Sequence, residues 1–283
     1  MKRVILKSLP FVALFVGLIL LLYPTISEHI NNMHQSKVVQ SYNNIADSMS
    51  SEMKDSVFEK ADSYNQKIAA AKDPIYHPEQ VDGYDETLDI SGTGIMGYIN
   101  IEKIKTELPI YHSVDENVLQ IAAGHLPGTS LPVGGIGTHA VLSGHRGLPS
   151  AKLFTDLDKL EIGDVFYITV LSEVLTYQVD QIKTVEPYEV SDLKVDPNED
   201  YCTLFTCTPY GINTHRLLVR GKRIETVEEM KIYVANDAFV VSSIIVAPII
   251  AAPILLALLI VLLFSTRKKT DGESHENNKK QQI

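Results

Sequence analysis

The sequence predicts a mainly β fold, a sandwich or closed barrel with few helices, preceded by a helical segment and flanked by two membrane helices. Three observations predict it. Between residues 95 and 224, seven or eight short apolar runs are separated by turn formers. From about 35 to 71, apolar residues recur every three or four positions, the period of an amphipathic helix. At each end of the chain lies a long uncharged run with basic residues on its outer side.

Taken in order, residues 1–7 are a basic end carrying Lys2, Arg3 and Lys7, and 8–26 contain no charge. Such a run spans the ~30 Å of a hydrocarbon core as a helix. A cleaved leader shares this pattern, but the apolar stretch is long for one and no small-x-small site follows before Glu28, so an uncleaved anchor is expected. Over 27–71, Tyr42, Ile45, Met49, Met53, Val57, Ala61, Tyr64 and Ile68 form the apolar stripe of one helix or two joined helices, read most simply as a stalk with a packed seam. Periodicity stops over 72–94, where Asp73-Pro74, His77-Pro78, Asp82-Gly83 and Gly92-Thr93-Gly94 mark irregular chain. Ile75, Tyr76, Tyr84 and Leu88 give it anchoring surface, which favours an ordered flap over a loose linker.

A β domain is expected over 95–236. Its strand-like runs are 95–101, 105–111, 139–143, 165–171, 175–185, 201–207 and 216–224, with a helical piece over 116–123 and a helical turn or two over 152–160. A second apolar run, 238–264, is followed by Arg267-Lys268-Lys269 in a tail, 265–283. Pro248 and Pro253 are tolerable in a membrane helix, at the cost of a kink. The positive-inside rule places both termini in the cytoplasm and the β domain outside the cell, in a two-pass membrane protein.

The exposed domain is acidic: over 31–236, 17 basic and 30 acidic side chains leave −13. That argues against a nucleic-acid partner. No glycine-rich phosphate loop, CxxC pair or HExxH helix is present, so neither an organic cofactor nor a metal is expected. Two cysteines give no disulfide framework. Cys202 and Cys207 are five apart and point to opposite faces of one strand, so Cys202 reads as core packing and Cys207 as a free thiol.

The chemistry centres on Thr203–Arg216. Pro209, Gly211 and Asn213 form a turn between two apolar runs, and a hairpin centred between Gly211 and Ile212 places Cys207 opposite Arg216. A cation beside a thiol favours the thiolate, and a guanidinium is a rigid fork for a developing oxyanion. A cysteine nucleophile also needs a group to manage protons. His77, His112, His125, His139, His145 and His215 are available, and of these His125 and His145 follow glycines where apolar segments end. Spacing does not separate these two.

The segment Thr203-Leu204-Phe205-Thr206-Cys207 resembles the TLxTC signature of sortases, with Arg216 where their arginine falls and Ser143-Gly144-His145-Arg146-Gly147 similar to the segment carrying their histidine. The longer stretches Gly144–Ala151 and Cys207–Arg216, with two membrane segments and a flap ahead of the β domain, resemble class C, pilin-polymerising sortases of Gram-positive bacteria. The resemblance implies an eight-stranded β-barrel. It implies that Cys207 attacks the Thr–Gly carbonyl of an LPxTG-like sorting signal to form a thioester, with His145 as acid and base and Arg216 at the oxyanion. The acceptor would be a lysine amine of a pilin subunit. It also implies a lid in which an aspartate pairs with the arginine and an aromatic covers the thiol. Here Asp73 and Pro74 are followed by Ile75 and then Tyr76, so the covering residue is open. The alternatives are a housekeeping sortase that joins proteins to cell-wall precursor, a cysteine hydrolase of peptide or peptidoglycan, and a surface binding module with an incidental thiol.

Overall fold

Strands that each turn an apolar side to a common interior, and leave no edge unpaired, close into a barrel. In the computed structural model, which describes residues 2–226, they are β1 (Ile95–Ile101), β2 (Thr106–His112), β3 (Ala123–His125), β4 (Thr138–Ser143), β5 (Val165–Val170), β6 (Glu173–Val185), β7 (Asp200–Thr208) and β8 (His215–Ile224). The barrel closes in the order β1-β2-β3-β4-β7-β8-β6-β5. Of the sandwich and the barrel, the chain forms the barrel. Its interior is filled by Met96, Ile99, Ile110, Phe166, Tyr177 and Leu204, all fully buried. The expected membrane run 238–264 and the tail 265–283 lie outside the described residues.

One strand departs from the sequence reading. The helical piece expected over 116–123 is a single turn, α3 (Glu116–Leu119), and the chain then forms β3, parallel to β2 and antiparallel to β4. Three residues are too few to show a period of two. Gly124 is required there, because a Cβ would stand 2.4 Å from the Ser113 carbonyl oxygen. The helical turns expected over 152–160 reduce to turns and one 3-10 turn, Leu157–Lys159.

The helical region is two helices, α1 (Lys2–Ser48) and α2 (Ser51–Ala70), divided where Ser50 caps α2 by accepting from the Met53 N–H at 3.3 Å. A stretch within Leu14–Ser48 is long and apolar enough, by length and composition, to cross a membrane. Residues 2–26 and residues 27–226 belong to different compact units. The stalk expectation is corrected, because the apolar stripe docks on the barrel. Val39 and Tyr42 pack on Ile95 and Tyr98. The Tyr42 hydroxyl donates to Met96 O at 2.8 Å and accepts from Leu171 N at 3.0 Å. From α2, Ala61, Tyr64 and Ile68 join the core, and the Asn65 amide brackets the Leu131 backbone, accepting at 2.7 Å and donating at 3.3 Å.

The 78–94 stretch is tied to the barrel by buried Val81 and Leu88 and by two histidines. His112 Nε2 lies 2.8 Å from Thr87 O, and its Nδ1 lies 2.9 Å from Gly94 O. The Tyr84 hydroxyl sits 2.9 Å from His125 Nδ1 and accepts from Ser113 N at 3.1 Å.

Candidate active site

Alternation gives the β4–β7–β8 wall two faces. Ala140, Leu142, Cys202, Leu204, Leu217 and Val219 belong to the interior. Val141, Leu218 and Phe205 belong to a second apolar cluster outside it, together with Val185, Leu193 and Val190. Cys207 and Arg216 share the parity of Phe205 and Leu218, so both stand on this outer face. The observed register pairs Cys207 with Arg216 and Thr208 with His215, as a hairpin centred between Gly211 and Ile212 requires.

His145 reaches the same place from β4. Strands β4 and β7 run parallel with Ser143 beside Phe205. The chain stays on β7 beyond that pair: the Gly144 N–H donates to Phe205 O at 3.2 Å and the Thr206 hydroxyl donates to Gly144 O at 2.7 Å. Continuing the register by two residues brings His145 alongside Cys207. Gly144 also leaves room for the Phe154 ring, from which a Cβ there would lie only 2.6 Å. His145, Cys207 and Arg216 therefore stand in a row at one end of three adjacent strands. The loop after His145 is pinned by Arg146, whose Nη1 donates to the Thr208 hydroxyl at 3.2 Å and whose Nη2 binds Asp158. The Arg146 guanidinium also sits 5.8 Å from the Tyr210 ring centroid.

The structure separates the two histidines that spacing left equal. His125 is wholly buried among Tyr84, Thr129 and the Ser130 carbonyl, and burial lowers its pKa to about 4. It is a structural, neutral imidazole. His145 keeps 26% of its side chain exposed, and its Nε2 lies 3.3 Å from both carboxylate oxygens of Glu116. Sequence reasoning gave Glu116 no role: it is 29 residues away, and only the fold brings it here. His139 is also buried, between Lys194 O at 3.0 Å and the Thr203 hydroxyl at 2.7 Å, with its pKa lowered by burial to about 4. His77 and His215 are surface residues beside Glu79 and Glu186.

Cys202 and Cys207 are both free thiols; Cys202 is sealed in the interior, which pushes its thiol well above the usual range, and Cys207 is half-buried. Among the described residues, no group of three or more His, Cys, Asp or Glu is placed to hold a metal ion.

Residues 72–76 cross the outer face. Asp73 adopts φ 52°, and two turns follow, Tyr76 N–H to Asp73 O at 3.1 Å and His77 N–H to Pro74 O at 3.2 Å. These turns aim Ile75 into the apolar cluster of Val141, Val185, Leu218 and Phe205. Tyr76 points away, 57% exposed, its hydroxyl donating to Tyr188 O at 3.3 Å. Of the two, Ile75 is the side chain packed in the groove. Gly128 lets the segment lie so close, because a Cβ would meet Pro74 O at 2.2 Å. A cavity of about 320 Å³ opens between residues 68–76, Gly128, His139 and residues 190–195. The expected Asp73–Arg216 pair is not formed. Asp73 Oδ1 lies 4.0 Å from Lys194 Nζ, while Arg216 Nη1 donates to His215 O at 3.0 Å and Asn213 O at 3.3 Å. The turn at Asp73 carries its carboxylate towards the 190–195 segment, and Arg216 curls over its own hairpin.

Comparison with known proteins agrees with this geometry. Residues 99–224 match the model of the sortase domain. Sortase C1 from Streptococcus agalactiae is 47% identical, with a TM-score of 0.64, over 68% of this chain and 100% of that one. Sortase C-1 from Streptococcus pneumoniae is 41% identical, with a TM-score of 0.59, over 68% and 100%. Sortase A of Streptococcus agalactiae serotype III is 31% identical over 137 residues, 47% of this chain and 55% of that protein, so the match spans about half the length of that relative. The chain belongs to the sortase family of cysteine transpeptidases, and the solved structures it is similar to are C-type sortases of streptococci.

Proposed function

We propose that the protein is a membrane-anchored class C sortase that joins pilin subunits into covalent fibres. The observation that carries this is the row His145–Cys207–Arg216 on the outer face of β4, β7 and β8, beside an apolar groove crossed by residues 72–76. Sortases act on LPxTG-type sorting signals. An extended peptide of that kind fits a groove floored by strands, its apolar side chains against Val141, Val185 and Leu218.

In the first step the Cys207 thiolate attacks the Thr–Gly carbonyl and the C–N bond breaks. The leaving amine takes its proton from His145, and the signal stays on Cys207 as a thioester. Arg216, across the hairpin, offers N–H donors to the oxyanion at the cost of its two backbone contacts. In the second step a lysine amine of another pilin attacks the thioester and an isopeptide bond replaces it. Residues 72–94 act as a lid, with Asp73, Pro74, Ile75 and Tyr76 its working tip. Two membrane segments, 8–26 and 238–264, hold the barrel outside the cell with both termini in the cytoplasm. The test is to incubate the full chain in detergent with pilin subunits bearing a sorting signal. A ladder of linked subunits that Cys207→Ala abolishes is expected, and a ladder unaffected by that change would sink the proposal.

A further inference from the structure

The thiol lies between unlike charges. Arg216 is its neighbour on β8, and on the β4 side His145 is backed by Glu116, both of whose oxygens are 3.3 Å from Nε2. A tetrahedral intermediate formed by an amine on a thioester is polar in the same sense, negative at oxygen and positive at nitrogen. The cationic side suits the oxygen, and the anionic side suits the nitrogen.

We propose that Glu116 is the acceptor-binding residue, its carboxylate receiving the ammonium group of the incoming lysine and delivering it to His145. This inference rests on the proposed transpeptidase reading and adds to it the place where the second substrate enters. Three features of Glu116 carry it. It sits at the head of α3, where Gln120 Nε2 donates to Oε1 at 3.2 Å and fixes the carboxylate without filling it, since a carboxylate has roughly four acceptor sites. Its side chain is 66% exposed, so a ligand reaches it from solvent while it touches His145. The cation that follows His145 in the chain, Arg146, is already engaged by Asp158 and Tyr210. The donor groove under Ile75 is lined by Val141, Val185 and Leu218 and does not include Glu116, so the two substrates use different side chains.

The step balances as follows. The lysine ammonium gives one proton to solvent at the carboxylate and attacks the thioester carbon as a neutral amine. The C–N bond forms and the C–S bond breaks with its electron pair on sulfur. The second proton passes from nitrogen to His145, regenerating thiolate beside imidazolium.

The experiment compares two nucleophiles on the thioester of the full chain in detergent, Nα-acetyl-lysine amide, cationic at neutral pH, and hydroxylamine, uncharged there. Glu116→Gln is expected to lower the preference for the lysine amine over hydroxylamine about three- to fivefold, the scale of an exposed ion pair. Added salt should move the parent protein towards the variant's value. Glu116→Lys should lower the preference further. If Glu116 only positions His145, both nucleophiles slow alike and the preference is unchanged, which overturns the inference. The thioester is followed by mass in the same samples. Failure to form it on Cys207 overturns the transpeptidase reading and this inference together, whereas a normal thioester with unchanged preference overturns this inference alone.

Discussion

Replacing Ile75 by alanine isolates what holds residues 72–76 on the groove. Full burial of an isoleucine side chain stabilises by about 1.5–3 kcal/mol. Ile75 is half-buried against Val141, Val185, Leu218 and Phe205, and alanine keeps one of its four side-chain carbons, so about 0.6–1.1 kcal/mol is lost. The other tie is weaker: Asp73 and Lys194 are 4.0 Å apart and 47% and 66% exposed, a pair worth well under about 1 kcal/mol. At about 1.4 kcal/mol per factor of ten, Ile75→Ala should raise the population with the segment lifted about three- to sixfold. The assay is the alkylation rate of Cys207 by iodoacetamide in the full chain, read by mass. Cys202 does not interfere, because it is fully buried. A rate within twofold of the parent protein, with unchanged melting temperature, would refute the argument that Ile75 closes the groove. Tyr76→Ala is the control, since its exposed ring gives little hold, and less than about a threefold change is expected.

Other consequences are equally direct. Gly128→Ala places a Cβ 2.2 Å from Pro74 O at a φ of +81°, so the 72–76 segment must move; thiol alkylation should rise at least as much as in Ile75→Ala, and an unchanged rate would contradict the packing described. His125 and His139 have pKa values near 4, against an ordinary 6.5, and are neutral when folded. Their contribution is present above pH 6.5 and is lost as pH falls towards 4, because only the unfolded chain then takes up the protons, at a cost of up to about 3 kcal/mol each. Thermal midpoints should therefore drop steeply between those pH values, less steeply in His139→Gln, and a flat profile would count against buried neutral histidines. Tyr42→Phe removes the hydroxyl shared by Met96 O and Leu171 N, so differential scanning calorimetry should show a loss of about 1–3 kcal/mol; no change would mean that α1 does not brace the barrel there.

The hairpin register was legible because the turn formers Pro209, Gly211 and Asn213 lie between two apolar runs and leave one centre for the pairing. The long strands were legible for a similar reason, as alternation over five or more residues has no helical reading. Strand β3 was not, being three residues long with a glycine, Gly124, at its centre. The docking of α1 and α2 was hidden too, since an apolar stripe shows that a helix buries a face but not against what. The two glycine-led histidines differ in burial, a tertiary property, so spacing could not separate them, and His145 was singled out by the family resemblance instead. Resemblance to class C enzymes implied a pairing of Asp73 with Arg216, yet the carboxylate of Asp73 faces Lys194, because local turn geometry decides where a side chain points.

The central claim is that Cys207 carries the sorting signal as a thioester before it is handed to an amine, and one mass measurement addresses it. The full chain in detergent is mixed with an LPxTG peptide and quenched in acid. The account predicts an adduct on Cys207 equal to the peptide through its threonine, discharged by a lysine peptide and missing in Cys207→Ala, with Cys202 unmodified. An adduct that persists in Cys207→Ala, or turnover of the peptide with no covalent intermediate on the parent protein, would contradict it.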